Sequence, residues 1–231
     1  MTGYTKAAIV DKLDSAMLDM NTLYRENFIN YRGKTTDTKE YYDEIIAGVL
    51  LNNLHKFDTI SPITRRKSYR VKSHNGLTPN SKSNRVEERI ALNMFNKTFD
   101  HIGRIIDYQI PIKNVQGDRS VGKIDLLSIK DGILNILEIK KAESNETLLR
   151  CILEAATYCN RIDKVKLLDD YKDHKARCVQ SAILVFKDSF QHVSYTNGIK
   201  VNTCNLMAKL NVGMFIIDGY SGLFVNGVIQ P

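Results

Sequence analysis

Two carboxylates and an amine stand close together around a tight-turn signal: Asp125, Glu138 and Lys140 flank the dipeptide Asp131-Gly132. Asp-Gly between two apolar runs predicts a two-residue hairpin. Counting outward from that turn, with Lys130 paired to Ile133, puts Asp125 opposite Glu138 and Lys123 opposite Lys140. Directly opposed residues share a face, with Cβ atoms roughly 5 Å apart. Glu138 and Lys140, two apart on one strand, share that face too. Carboxylates this close repel unless a cation lies between them. Mg2+ suits, as a hard ion that takes oxygen ligands and keeps several waters, with Mn2+ as a substitute. Such an ion polarises a phosphodiester oxygen and acidifies a bound water. Lys140 would position or help deprotonate that water, and stabilise charge building on phosphorus. The apolar neighbours Leu134, Ile136, Leu137 and Ile139 make these charges costly unless something pairs them. The plainer account is a cross-strand salt-bridge ladder, Asp125 with Lys140 and Glu138 with Lys123.

The elements that would hold this cluster follow from periodicity and turn chemistry. Ile9, Leu13, Met17, Leu18 and Leu23 predict a helix over 6–28, and Tyr42, Ile45, Ile46, Val49, Leu50 and Leu54 another over 38–57. Loops are expected at Ser61-Pro62, at 75–76 and at 78–80. Asn84 is placed to cap a helix over 85–99, ended by Gly103. Its apolar face is broad, with Glu87 near the middle and Glu88 nearer the edge. Glu87 therefore points at the sheet, with Glu88 as the alternative. Strands are expected over 104–112, 121–130 and 133–141, a helix over 146–162 and a strand over 179–187. A helix over 201–210 and a hairpin of 214–218 with 223–229 complete the chain. This order implies an α/β fold with a mixed, α+β-like sheet. The 146–162 helix would make a right-handed crossover. Residues 1–80 read as a helical N-terminal extension with a basic linker, and 84–231 as the core.

Ile124-Asp125, twelve intervening residues and Glu138-Ile139-Lys140 resemble the signature of the PD-(D/E)XK nuclease superfamily, which includes restriction endonucleases and RecB-type nucleases. The order of elements from 84 to 187 is similar to that family's restriction-endonuclease-like αβββαβ core. The resemblance covers about half the chain, and Ile124 stands where the family name has proline. It implies metal ligation by Asp125 and Glu138, Lys140 as the catalytic lysine, and Glu87 as a further metal-binding carboxylate. RecB-type members carry Q-x-x-x-Y on the next helix, and Glu154 with Tyr158 resembles it. Yet Arg150, Glu154, Thr157 and Arg161 fall on one polar side, so an exposed face with an Arg150–Glu154 pair is the preferred account. Gln109 and Lys123 are candidate contacts to phosphate or water.

The chain is 43% hydrophobic and 26% charged, which excludes a disordered polymer. No apolar run approaches the ~20 residues of a membrane span. The first residues show no signal pattern, so a cytoplasmic protein without membrane contact is expected. Four cysteines without a C-x-x-C pair and five scattered histidines speak against a zinc site. Cys151 and Cys159 read as core residues. A formal net charge of +7 favours a polyanionic partner. Residues 59–86 contain no acid and carry Arg65, Arg66, Lys67, Arg70, Lys72, Lys82 and Arg85. This is either a solvated loop or an arm on a phosphate backbone, with Tyr69 and His74 available for base stacking. The expected function is a Mg2+-dependent DNA endonuclease, with RNA not excluded and a homodimer left open. A non-catalytic nucleic-acid-binding or interaction protein on a nuclease-like scaffold is the alternative.

Overall fold

In the computed structural model, which describes residues 3–74, 85–115 and 122–231, the fold is mixed α/β around one seven-stranded sheet among the described residues. The strands lie in sequence order: β1 (Thr98–Phe99), β2 (Gly103–Pro111), β3 (Lys123–Lys130), β4 (Ile133–Ile139), β5 (Cys178–Phe186), β6 (Val212–Ser221) and β7 (Phe224–Ile229). Pairing is antiparallel from β1 to β4, parallel for β4–β5 and β5–β6, and antiparallel for β6–β7. The helices are α1 (Lys6–Ala16), α2 (Tyr42–Leu51), α3 (Val86–Met94), α4 (Leu148–Arg161), α5 (Lys164–Asp170), α6 (Phe190–Thr196) and α7 (Val201–Lys209). Parallel neighbours need a crossover. Here α4 and α5 connect β4 to β5, and α6 and α7 connect β5 to β6. No helix among the described residues is long and apolar enough to cross a membrane.

Opposite faces of the sheet are covered differently. On one, Ile90, Ala91 and Met94 of α3 pack with Ile105, Tyr108, Leu126, Leu137 and Ile139. On the other, Leu149 and Leu153 of α4 meet Ile124, Leu127, Leu134 and Ile136, and Ile9, Leu13, Ile46 and Leu50 belong to the same cluster. The N-terminal segments thus share a core with the sheet. They also lie over α4, where the short 3-10 turns at Leu23–Arg25 and Asn27–Asn30 make contact. Thr157, Tyr158 and Cys159 are buried as a result, while Cys151 is buried against β5 and β6. The exposed polar face expected on α4 is therefore absent. Arg150 pairs with Glu146 instead of Glu154, and the Glu154 side chain turns inward.

Several boundaries move for local reasons. The first helix stops at Ala16, and Leu18 is 86% exposed. Just beyond it, the Asp19 carboxylate accepts from the Asn21 amide and the Thr22 hydroxyl, a local alternative that competes with helix. The third helix ends at Met94 because Asn96 adopts left-handed backbone (φ 61°), and the chain turns back through β1 onto β2. Two helices of seven residues, α5 and α6, are too short to show a clear apolar period in the sequence. Asp163 and Ser189 cap them by accepting from the Lys166 and His192 amides. Lys82, the Asn84 cap, Val121 and the turns at 75–76 and 78–80 lie outside the described residues.

Candidate active site

The Asp131-Gly132 turn forms as its chemistry demands, both residues taking left-handed backbone (φ 51° and 79°). It sets the β3–β4 register, from Lys130↔Ile133 up to Leu126↔Leu137. There the ladder stops. Beyond that point β3 stays with β2, through Ile110↔Ile124 and Pro111↔Lys123, while β4 stays with β5, through Ile139↔Leu184. The sheet splits between β3 and β4, and Asp125 and Glu138 sit at the split. The Ile139 amide donates to Asp125 Oδ2 at 3.0 Å. Gln109, held in left-handed backbone (φ 48°), donates its side-chain amide to Asp125 Oδ1 at 2.8 Å. Because of the split, Lys123 does not face Lys140. It pairs in register with Pro111 and stands exposed on the rim.

Lys140 instead lies beneath the split, 5% exposed. Its Nζ is 3.0 Å from Glu138, 2.9 Å from Glu146 and 2.7 Å from Glu154. The expected ladder of Asp125 with Lys140 and Glu138 with Lys123 is replaced by this three-carboxylate cage. Glu154 is fixed in turn by the Tyr158 hydroxyl, which donates to Oε1 at 3.0 Å. Arg150 approaches Glu146 at 3.0 Å as an ion pair without hydrogen-bond geometry.

A cleft of about 430 Å³ opens over the split, lined by Asp125, Glu138, Gln109, Lys123, Tyr158 and Glu87, with Arg85, Glu88 and Lys141 also present. Glu87 reaches it from α3, its Oε1 accepting from the Lys141 amide at 3.4 Å, whereas Glu88 pairs with Arg85. Asp125 keeps partial exposure through the cleft, yet enough protein surrounds its carboxyl for burial to dominate its titration. Burial pushes it up to about 7, Lys140 and the Ile139 amide oppose that, and Glu87 and Glu154 add to it. Burial and the charge of Asp125 also hold Glu138 well above the usual carboxylate range. For Lys140, burial favours the neutral amine, but Glu138 and Glu154 outweigh it and hold the ammonium well above its ordinary value.

No family model, curated protein or solved structure matches this chain. The site therefore has to be read from its own chemistry. Two oxygen donors lifted by burial and by neighbouring carboxylates form a pair that a divalent cation relieves. Among the described residues no three His, Cys, Asp or Glu side chains gather closely enough to enclose an ion. Glu87 is thus at the cleft without closing a three-carboxylate set. An ion at Asp125 and Glu138 would draw its other oxygens from water or substrate, which suits Mg2+.

The basic segment is placed less uniformly than its composition implies. Arg65 is buried, donating to the Pro111 carbonyl at 2.5 Å with its guanidinium over the Tyr69 ring. Tyr69 is fully enclosed and donates its hydroxyl to the Ile63 carbonyl, so it cannot stack on a base. Arg70 pairs with Asp173, and the His74 ring stacks on Tyr108. Arg66, Lys67 and Lys72 are exposed. Glu146, just before the α4 cap Thr147, joins the cage although no motif or spacing in the sequence marks it.

Proposed function

We propose that the chain is a metal-dependent nuclease of the PD-(D/E)XK type that hydrolyses phosphodiester bonds in DNA, acting as an endonuclease. The observation that carries this reading is the split between β3 and β4, which presents two proton-hungry carboxylates, Asp125 and Glu138, to an open cleft. The succession α3, β2–β4, α4, β5 supports a restriction-endonuclease-like core. Asp125 and Glu138 are the residues that would hold Mg2+ or Mn2+. When bound, such an ion supplies Lewis acidity at a phosphodiester oxygen and an acidified water.

The chain's own groups do the positioning. Gln109 and the Ile139 amide fix both oxygens of Asp125, and Lys140 fixes Glu138. Caged by carboxylates, Lys140 stays an ammonium, so its part is electrostatic instead of that of a base. Lys123, Lys141 and Arg85 stand where phosphates of a bound strand would pass. The test is cleavage of plasmid and oligonucleotide substrates with Mg2+ or Mn2+. Wild type is expected to cut, and Asp125→Asn and Glu138→Gln to lose at least a hundredfold, about 3 kcal/mol in barrier. Absence of cleavage on every DNA and RNA form, or undiminished activity in both variants, refutes the reading.

One observation favours a second reading, a nucleic-acid-binding module without turnover: Lys140 is already tied to three carboxylates. Calorimetry separates the two. An inert module shows no Mg2+ uptake that Asp125→Asn removes.

A further inference from the structure

A second cleft lies toward the other end of β2, where Arg104, Ile106 and Asp107 replace Gln109 as the strand's contribution. It measures about 280 Å³, at the small end of ligand pockets. Three separate segments bring cationic or titratable groups to it: Arg70, Lys72 and His74 from the N-terminal part, Arg104 from β2, and His174 from the turn after α5. Phe95 and Tyr171 supply apolar wall.

We propose that this cleft binds a phosphate group carried by a nucleotide or a nucleic-acid strand. The acid beneath it, Asp107, is 3% exposed and already satisfied. It accepts from the Tyr171 hydroxyl and the Tyr108 amide, and lies 2.6 Å from His74 Nδ1. An acid so fully partnered repels a second anion less than a bare one would. Binding Asp107 through Nδ1 also leaves Nε2 as the other polar atom of the His74 ring, which lines the cleft. Arg70 is oriented by Asp173 and lies over the Tyr171 ring, and a guanidinium has further donors to spare. Burial, Arg70 and Arg104 together hold His174 below its ordinary pKa, against the pull of Asp173. Cations that repel one another around a hollow are relieved by a bound anion. The size admits a phosphate with part of its sugar, and the aromatic wall suits the apolar side of a nucleotide.

The test uses the full chain in EDTA, so that no cleavage intervenes and the result is independent of the nuclease reading. Probes are inorganic phosphate, deoxyadenosine monophosphate and a single-stranded oligonucleotide, followed by NMR shifts and fluorescence anisotropy. Lys72 and Arg104 are exposed, so K72A/R104A leaves the fold intact. Wild type is expected to bind at least one probe, with affinity falling about tenfold or more in K72A/R104A and unchanged in Lys209→Ala, an exposed lysine of α7 that lines neither cleft. If the oligonucleotide is the ligand, the salt slope of its binding falls by about one to two in the double variant. Loss confined to the mononucleotide or inorganic phosphate assigns a free phosphate compound instead. Equal affinities of wild type and K72A/R104A for all three probes, or binding of none, overturn the proposal.

Discussion

Two buried ammonium groups in this protein sit in opposite electrical settings. Lys200 meets one carboxylate, Asp43 Oδ1 at 2.5 Å, and its Nζ lies 3.8 Å from the centroid of the Tyr41 ring. One acid answers one base, and the pair ties α2 to the start of α7. Its neighbour Glu44 is consumed as well, accepting from the Asn202 and Thr203 amides and the Thr203 hydroxyl. Lys140 by contrast is shared among Glu138, Glu146 and Glu154, with Asp125 near enough to feel its charge. Buried charge is tolerated when it is paired and hydrogen-bonded. The Asp43–Lys200 contact meets that rule locally. The Lys140 cluster does not, since acids outnumber bases there, and the surplus faces an open cleft. A local rule broken in this way marks a place built to receive something.

The sharpest way to break this contrast is to remove each ammonium. Lys140→Met leaves several carboxylates facing one another, and Lys200→Met leaves a single one. Breaking a buried ion pair typically costs about 3–5 kcal/mol. Lys140→Met is expected at or beyond the top of that range at pH 7.5, and Lys200→Met near the bottom, by urea unfolding. Nuclease activity should vanish in Lys140→Met and persist in Lys200→Met. If Lys200→Met proves the more damaging of the two, the surplus of charge at Lys140 is not what distinguishes the sites.

A smaller but more specific effect follows from Asp125, pushed up to about 7 in the folded chain. The unfolded value is near 3.9. Between those limits the folded state holds more protons than the unfolded one, so stability from this group is full below pH 4 and is lost as pH rises through 7. Glu138 is raised as well and acts in the same direction. Asp19 and Asp173, held low by side-chain hydrogen bonds from Asn21 and Arg70, oppose this only below the usual carboxylate range, whereas His174, held below its ordinary value by burial, opposes it below about pH 6.5 and does so equally in Asp125→Asn. In EDTA the protein should therefore gain stability from pH 7.5 to pH 5, with a shallower slope in Asp125→Asn. Added Mg2+ should stabilise wild type at pH 7.5 and leave the variant unmoved. A slope identical in both proteins would remove the link between Asp125 and the surplus.

The hairpin was legible because its determinants are local. An Asp-Gly turn sets the register, and register determines which residues meet. What local grammar could not show was where the ladder ends. That depends on the competing partners of β3 and β4, namely β2 and β5, which are distant in sequence. Lys123 was consequently misplaced opposite Lys140. Helical periodicity reports two faces of α4 and so implies an exposed Glu154, whereas the N-terminal segments enclose a third side of the helix. Glu87 does reach the cleft, as an acid in the middle of an apolar stripe implies. Arg65 and Tyr69 show the opposite failure: composition alone gave no hint that part of a basic run would be buried.

The smallest effects should come from the wall of the cluster. A Cβ on Gly122 would lie 2.0 Å from the Tyr158 hydroxyl and 2.4 Å from the ring carbon bearing it. Gly122→Ala must therefore displace the ring or the start of β3, and overpacking of this kind costs about 1–3 kcal/mol. Tyr158→Phe removes the hydrogen bond to Glu154 and the long one accepted from the Tyr24 hydroxyl at 3.5 Å, each worth about 1 kcal/mol at most. Because Glu154 remains against Lys140, cleavage should fall less than tenfold in Tyr158→Phe and further in Gly122→Ala. The reverse order would mean that the Tyr158 hydroxyl matters to the chemistry directly. It would then join the side chains that meet the substrate, and the surplus of acids around Lys140 would no longer account for the site alone.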